Sequence, residues 1–195
     1  MSTEHNKVFV VYGPKEGVGK TAIALNLGTN YAVMNNKETI IVELDPYCRK
    51  EMIQYFSGSS SETVYHLFSL IKRQKMEDID PQILRGRIPL NAQKVGAISL
   101  ANKREELEGF SPELIIKTLA VLSGIYTLVI DIEENYSEVQ IPLFDLADLV
   151  FWVFLPFAPS LRQTYKKLEE LKILLSLIHI SEPTRPLYIS YAVFC

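Results

Sequence analysis

Val8-Phe9-Val10-Val11-Tyr12-Gly13-Pro14-Lys15-Glu16-Gly17-Val18-Gly19-Lys20-Thr21 joins an apolar, β-branched run to a glycine-rich loop that ends in Lys-Thr. Ala22, Ile23, Leu25 and Leu27 then begin an apolar-periodic, helix-forming segment. Strand, glycine loop and helix in that order are the setting in which a backbone cradles phosphate. The N–H groups of the loop and first helical turn carry partial positive charge and hold phosphate oxygens. Gly17 and Gly19 leave room for the backbone to approach them. Lys20 adds a full charge at the β/γ-phosphates, and the Thr21 hydroxyl is placed to ligate Mg²⁺. The candidate nucleotide-binding residues are therefore Gly13, Pro14, Lys15, Glu16, Gly17, Val18, Gly19, Lys20, Thr21 and Ala22. The competing account is a chance glycine-rich turn before a helix, which gives no reason for the Lys-Thr pair.

A second position follows downstream. Tyr126-Thr127-Leu128-Val129-Ile130-Asp131 is an apolar strand that ends in aspartate. A strand parallel to the first would deliver that carboxylate beside Thr21, where it can bind Mg²⁺ directly or through water. Thr21 and Asp131 are the candidate metal residues. Ile132-Glu133-Glu134 adds negative charge just beyond.

Strand and helix patterns alternate along the chain, which predicts βαβ units around a mainly parallel sheet. The expected strands are Val8–Tyr12, Thr39–Leu44, 95–100, 126–131 and 149–155. The expected helices are 20–34, 51–56, 64–72, one starting at Asp80-Pro81, one capped by Ser111-Pro112-Glu113, and 160–174. In the capped helix Leu114, Ile115, Leu119 and Leu122 form the apolar side. Asp148 reads as a turn residue, Trp152 as a core aromatic, and His66 as structural rather than a ligand.

The chain has 195 residues, 48% hydrophobic and 22% charged, with net charge −3. That suits an α/β domain and speaks against a general nucleic-acid footprint. No apolar run approaches a membrane span, and the polar Ser2–Lys7 start lacks a signal-peptide core. Two cysteines, Cys48 and Cys195, make a disulfide framework unexpected. Cytoplasm is the expected compartment.

The last segment reads differently. Leu175–Arg185 looks like a one-frame translation of a common sequencing-library transposase adaptor. Ile189–Cys195 matches that adaptor's constant flank, with Pro186-Leu187-Tyr188 across the variable index. Residues 1–174 are then a domain incomplete at its C-terminus, and 175–195 are not native. His179 and Cys195 would carry no functional weight, and the tail should make few specific contacts. The alternative is a native hairpin tail, which Pro183 and Pro186 would permit.

The loop departs from the regular G-x-x-x-x-G-K-[ST] pattern, because Pro14 stands where a glycine would. Lys15-Glu16-Gly17-Val18-Gly19-Lys20-Thr21 instead resembles the deviant K-G-G-V-G-K-T motif of the Min/Par ATPases. The resemblance implies a three-layer P-loop NTPase fold with a twisted, mainly parallel sheet. It also implies an ATP- and Mg²⁺-dependent homodimer and slow ATP hydrolysis. In that family the first lysine, here Lys15, reaches a partner's nucleotide, and Lys15, Lys20 and Asp45 become the catalytic candidates. Asp45 matches the second aspartate of a D-x-D pattern, which helps to position the attacking water. Glu43 replaces the first. A plain turn former before Pro46 is the competing account of Asp45. Glu16 replaces a glycine, and Ala22 replaces a hydroxyl residue that contacts the α-phosphate. The layout from Lys7 to about Leu174 is similar to the CpaE/TadZ-like pilus-assembly branch. That implies pilus or secretion-system partners and recruitment to the inner face of the membrane. Two other readings stay open: a non-hydrolysing nucleotide-binding scaffold, and a DNA-partitioning ATPase.

Overall fold

The computed structural model describes residues 6–55, 62–73, 81–134, 137–179 and 189–191. The polar turn at 57–61, Asp80 and Cys195 lie outside them. In chain order the elements are β1 (Val8–Tyr12), α1 (Lys20–Asn35), β2 (Thr39–Leu44) and α2 (Val64–Arg73). Next come β3 (Val95–Ser99), α3 (Pro112–Ser123), β4 (Thr127–Ile132) and α4 (Ser137–Leu146). β5 (Leu149–Trp152), α5 (Ala158–His179) and β6 (Ile189–Tyr191) complete the order. Among the described residues all strand pairs are parallel, in the order β3-β2-β4-β1-β5-β6.

The sheet is covered on both faces, so its strands read as continuous apolar runs rather than alternating ones. Val8, Val10 and Tyr12 of β1 point into a core shared with α2, α3 and α4. Phe9 and Val11 point to the opposite face, against Ala24 and Ala32 of α1. The result is the expected three-layer α/β arrangement.

Several boundaries differ from the sequence reading. The buried stripe of α1 is Lys20, Ala24, Gly28 and Ala32, not its larger residues. Small side chains at i, i+4 let this helix sit close to the sheet, and a Cβ on Gly28 would lie 2.8 Å from Ile41 Cγ1. Residues 53–55 form only a 3-10 turn where a helix over 51–56 is expected. Ser111 makes no side-chain capping bond to α3. Its hydroxyl bonds the Glu113 carboxylate, which holds that group below its usual pKa. α4 is absent from the sequence reading, because Pro142 interrupts its pattern. Asp148 accepts from Val8 N–H at 2.8 Å, and Trp152 is buried against Tyr12.

The tail contributes to two of the described elements. α5 runs past Leu174 to His179, and residues 189–191 pair with β5, with Ile189 opposite Val150 and Tyr191 opposite Trp152. The physical reason is the free edge of β5. An open edge presents unpaired N–H and C=O groups that a β-prone segment can join through backbone bonds alone.

Candidate phosphate and metal site

The strand register gathers the site at the C-terminal ends of the parallel strands, where open α/β sheets bind ligands. Val11 pairs with Asp131, and Glu43 pairs with the same Asp131 from the other side. The loop after β1 thus starts between the ends of β4 and β5, with the end of β2 one strand further on.

Gly17 and Gly19 adopt φ of 72° and 93°, a left-handed region that L side chains rarely enter. Gly19 is the N-cap of α1, so the free N–H groups of the first helical turn open toward the loop. Gly13 has no room for a Cβ, which would stand 2.6 Å from the Val153 carbonyl oxygen. Lys20 is buried, and its Nζ donates to the Lys15 carbonyl at 3.2 Å. That bond folds the lysine back across the loop. Val18 is buried, Lys15 and Glu16 are exposed, and Pro14 is half-buried. The Lys15 ammonium lies 5.7 Å from the Phe157 ring centroid.

Thr21 and Asp131 come together as the sequence predicts. Thr21 Oγ1 donates to Asp131 Oδ2 at 2.6 Å. Among the described residues buried Asp131 Oδ1 has no hydrogen-bond partner, and the same holds for Glu43 Oε2. Glu43 Oε1 accepts from the Met52 N–H at 3.0 Å. Burial pushes Asp131 up to about 6 against the pull of Thr21 and Lys20. Burial, with Asp131 and Asp45 nearby, pushes Glu43 up to about 7.

Both orphaned residues line a polar cavity of about 20 Å³ with Thr21, Asp45, Arg49 and Glu133. That is room for roughly one ion or water. Among the described residues no group of three or more His, Cys, Asp or Glu could hold a metal ion by itself. Mg²⁺ does not need one, since it keeps several waters and takes one or two carboxylates plus substrate phosphates. Two buried carboxylate oxygens without partners beside a threonine hydroxyl fit such an ion.

Asp45 is buried, with both oxygens engaged by its own loop. Oδ1 accepts from Tyr47 N–H at 2.8 Å, and Oδ2 accepts from Arg49 N–H and Arg49 Nε, each at 2.9 Å. Arg49 also meets Glu133 at 3.1 Å and Glu16 at 3.7 Å. Burial pushes Glu133 above the ordinary carboxylate value. A hydrogen bond with Glu16 works in the same direction, and Lys20 and Arg49 work against it. The sequence reading missed Arg49 and Glu51. The one available signal was a cation four residues after Asp45. His66 lies 3.8 Å from Glu106 and does not line this cavity.

Strand order, glycine loop and the Thr21–Asp131 pair define a P-loop NTPase fold. Its solved likenesses are distant in sequence. The chain is similar to a ParA family ATPase from Chlorobium tepidum TLS, with TM-score 0.75 and 18% identity over 97% of this chain and 73% of that one. It is similar to cobyrinic acid a,c-diamide synthase from Mycobacterium smegmatis with bound ATP analog and magnesium. There the TM-score is 0.65, with 15% identity over 96% of this chain and 74% of that one. An ATP complex of McdA from Cyanothece gives TM-score 0.62 and 16% identity over 89% of this chain and 65% of that one. No family model matches the sequence, and no curated protein matches it.

Proposed function

We propose that the chain binds ATP with Mg²⁺ and uses it as a dimerisation switch of the Min/Par kind. The observation that carries this is the Thr21–Asp131 hydrogen bond beneath a loop of left-handed glycines and a buried lysine. Lys20 is drawn from the Lys15 carbonyl to the β/γ-phosphates, and the α1 N-terminus holds their oxygens. Thr21, Asp131 and the spare oxygen of Glu43 are the groups that would hold Mg²⁺. The ion would supply charge stabilisation at the transferring phosphoryl group. Lys15, exposed at the rim, is the residue offered to a partner's nucleotide.

A second reading has its own support. Asp45 is turned to its own loop, with Tyr47 N–H on Oδ1, Arg49 N–H and Nε on Oδ2, and Arg49 Nη2 a further 3.5 Å from Oδ1, so in this arrangement its oxygens serve that loop rather than a water. A scaffold that binds nucleotide and dimerises without turnover is the reading this favours. Phosphate release measured beside ATP binding separates the two: binding without release selects the scaffold, and release selects the ATPase.

The pilus-assembly role, with secretion-system partners and membrane recruitment, belongs to this proposal at its finer level. Among the described residues no helix is long and apolar enough to cross a membrane. The DNA-partitioning alternative draws on the likeness to a ParA family ATPase, and the net charge of −3 weighs against it. Steeply salt-dependent DNA binding would select it.

A further inference from the structure

The segment after β2 has an unusual backbone. Cys48 and Lys50 have φ of 55° and 56°, so left-handed residues that are not glycine flank Arg49 on both sides. Asp45 holds this shape by accepting from the N–H groups of Tyr47 and Arg49, while Cys48 N–H donates to the Asp45 carbonyl at 3.1 Å. The effect is to turn the Arg49 side chain back across the mouth of the phosphate site.

There it meets carboxylates from three loops. Asp45 lies at 2.9 Å and Glu51 at 4.0 Å on its own segment, Glu133 at 3.1 Å after β4, and Glu16 at 3.7 Å in the glycine loop. The Asp45 and Glu133 side chains are 8% and 14% exposed, so these two contacts fix the guanidinium. The exposed Glu16 contact is weak by itself. A site built to bind a triphosphate is thus ringed by negative charge. Lys20 is directed into the loop and Lys15 toward Phe157. Among the described residues Arg49 is the cation ion-paired with this ring, while Lys20 adds its field at Glu133 from inside the loop.

We propose that Arg49 is a positioning residue of the phosphate site. It is the counter-ion that neutralises Glu16 and Glu133, so that an acidic loop accepts a nucleotide. The proposal rests on the nucleotide-binding reading above. It accounts for the glutamate in the loop, whose charge is answered from the segment after β2.

Titration of the full chain with a fluorescent ATP analogue and Mg²⁺ tests it. The chains compared are wild type, Arg49→Gln, Arg49→Lys, the Glu16→Gln/Glu133→Gln double variant, and the triple variant. Arg49→Gln should weaken binding about tenfold at low salt, the scale of one nearby unit charge at intermediate dielectric. The loss should shrink as salt rises, and Arg49→Lys should recover part of it. The triple variant should regain most of the affinity, because the two glutamates that needed neutralising are gone. A chain that merely misfolds would not be rescued by removing carboxylates. Wild-type affinity in Arg49→Gln overturns the proposal and leaves the P-loop reading standing. So does an equal loss when Arg49→Gln is added to the double variant. A wild-type chain that binds no nucleotide overturns both.

Discussion

Lys15 in the loop and Lys20 at the start of α1 stand five residues apart and point different ways. Lys20 is buried with its ammonium on the Lys15 carbonyl, while the Lys15 side chain is exposed and lies over Phe157. Lys20→Ala should weaken ATP binding by roughly a hundredfold, the scale of losing charge-assisted hydrogen bonds of about 2–3 kcal/mol. Calorimetric titration checks this, and unchanged affinity would sink the phosphate-site assignment. Lys15→Ala keeps the backbone carbonyl that Lys20 uses. Monomer affinity should stay near wild type while ATP-dependent dimerisation, read by sedimentation with and without ATP, is lost. Glu43 gives a pH prediction. Its pKa is raised by burial from 4.5 to about 7, so the folded state holds a proton that the unfolded state releases earlier. The resulting stability is fully present below about pH 4.5 and is lost as pH rises through about 7. Gln at this position keeps the acceptor for Met52 N–H without the charge. Glu43→Gln should therefore stabilise the nucleotide-free chain by up to ~3 kcal/mol at pH 8 and by almost nothing near pH 4.5. Urea denaturation at both pH values decides it. An equal effect at the two would remove the charge explanation.

At the scale of elements, β1 and β2 have the bounds their apolar runs predict, because runs closed by Gly13 and by Asp45-Pro46 leave little freedom at their ends. The Thr21–Asp131 contact was legible for a related reason: two motifs with fixed positions at strand ends must meet once the strands are neighbours. Arg49 was not legible, since its aim depends on left-handed backbone at Cys48 and Lys50 that nothing local in the sequence demands. α4 was hidden by Pro142, whose missing N–H lies inside a helix held by packing of Val139, Leu143 and Phe144. α1 was legible as a helix, but its buried stripe was not. The apolar Ile23, Leu25 and Leu27 are only partly buried, while Ala24, Gly28 and Ala32 sit on the sheet. Gly28 makes that seating testable. Ala in its place gains about 1 kcal/mol of helix propensity. Its Cβ would also stand 2.8 Å from both Cγ1 and Cδ1 of Ile41. Because Cγ1 is not a free end, Ile41 must change rotamer or the helix must move, at about 1–3 kcal/mol. The clash should win, so Gly28→Ala should lower stability by about 1 kcal/mol in chemical denaturation. A more stable variant would show that α1 has slack against the sheet.

For the whole molecule the open question is the origin of residues 175–195, and the packing makes it an experiment. The well-packed part is β1 to β5 with α1 to α4 and α5 as far as Leu171, where the two buried clusters cover both faces of the sheet. β6 adds three residues at one edge, held to β5 by strand pairing. Edge pairing of this kind is available to many short β-prone segments and does not require a selected partner. We propose that the tail is adaptor-derived. Ile178, Ile180, Leu187, Ile189 and Phe194 then bring an unselected apolar stretch to a molecule that already carries an apolar groove. That groove, about 400 Å³, lies along Ala22, Ile23, Leu27 and Phe151. The combination predicts self-association of the 195-residue chain. Deleting Leu175–Cys195 should leave the thermal midpoint within about 2 °C, because a three-residue edge strand contributes little to a domain this size. The deletion should also reduce the aggregated fraction seen by light scattering. A midpoint that falls by several degrees on deletion would show that β6 and the end of α5 were selected to pack here. So would a genomic reading frame that continues through Leu174 into the same tail.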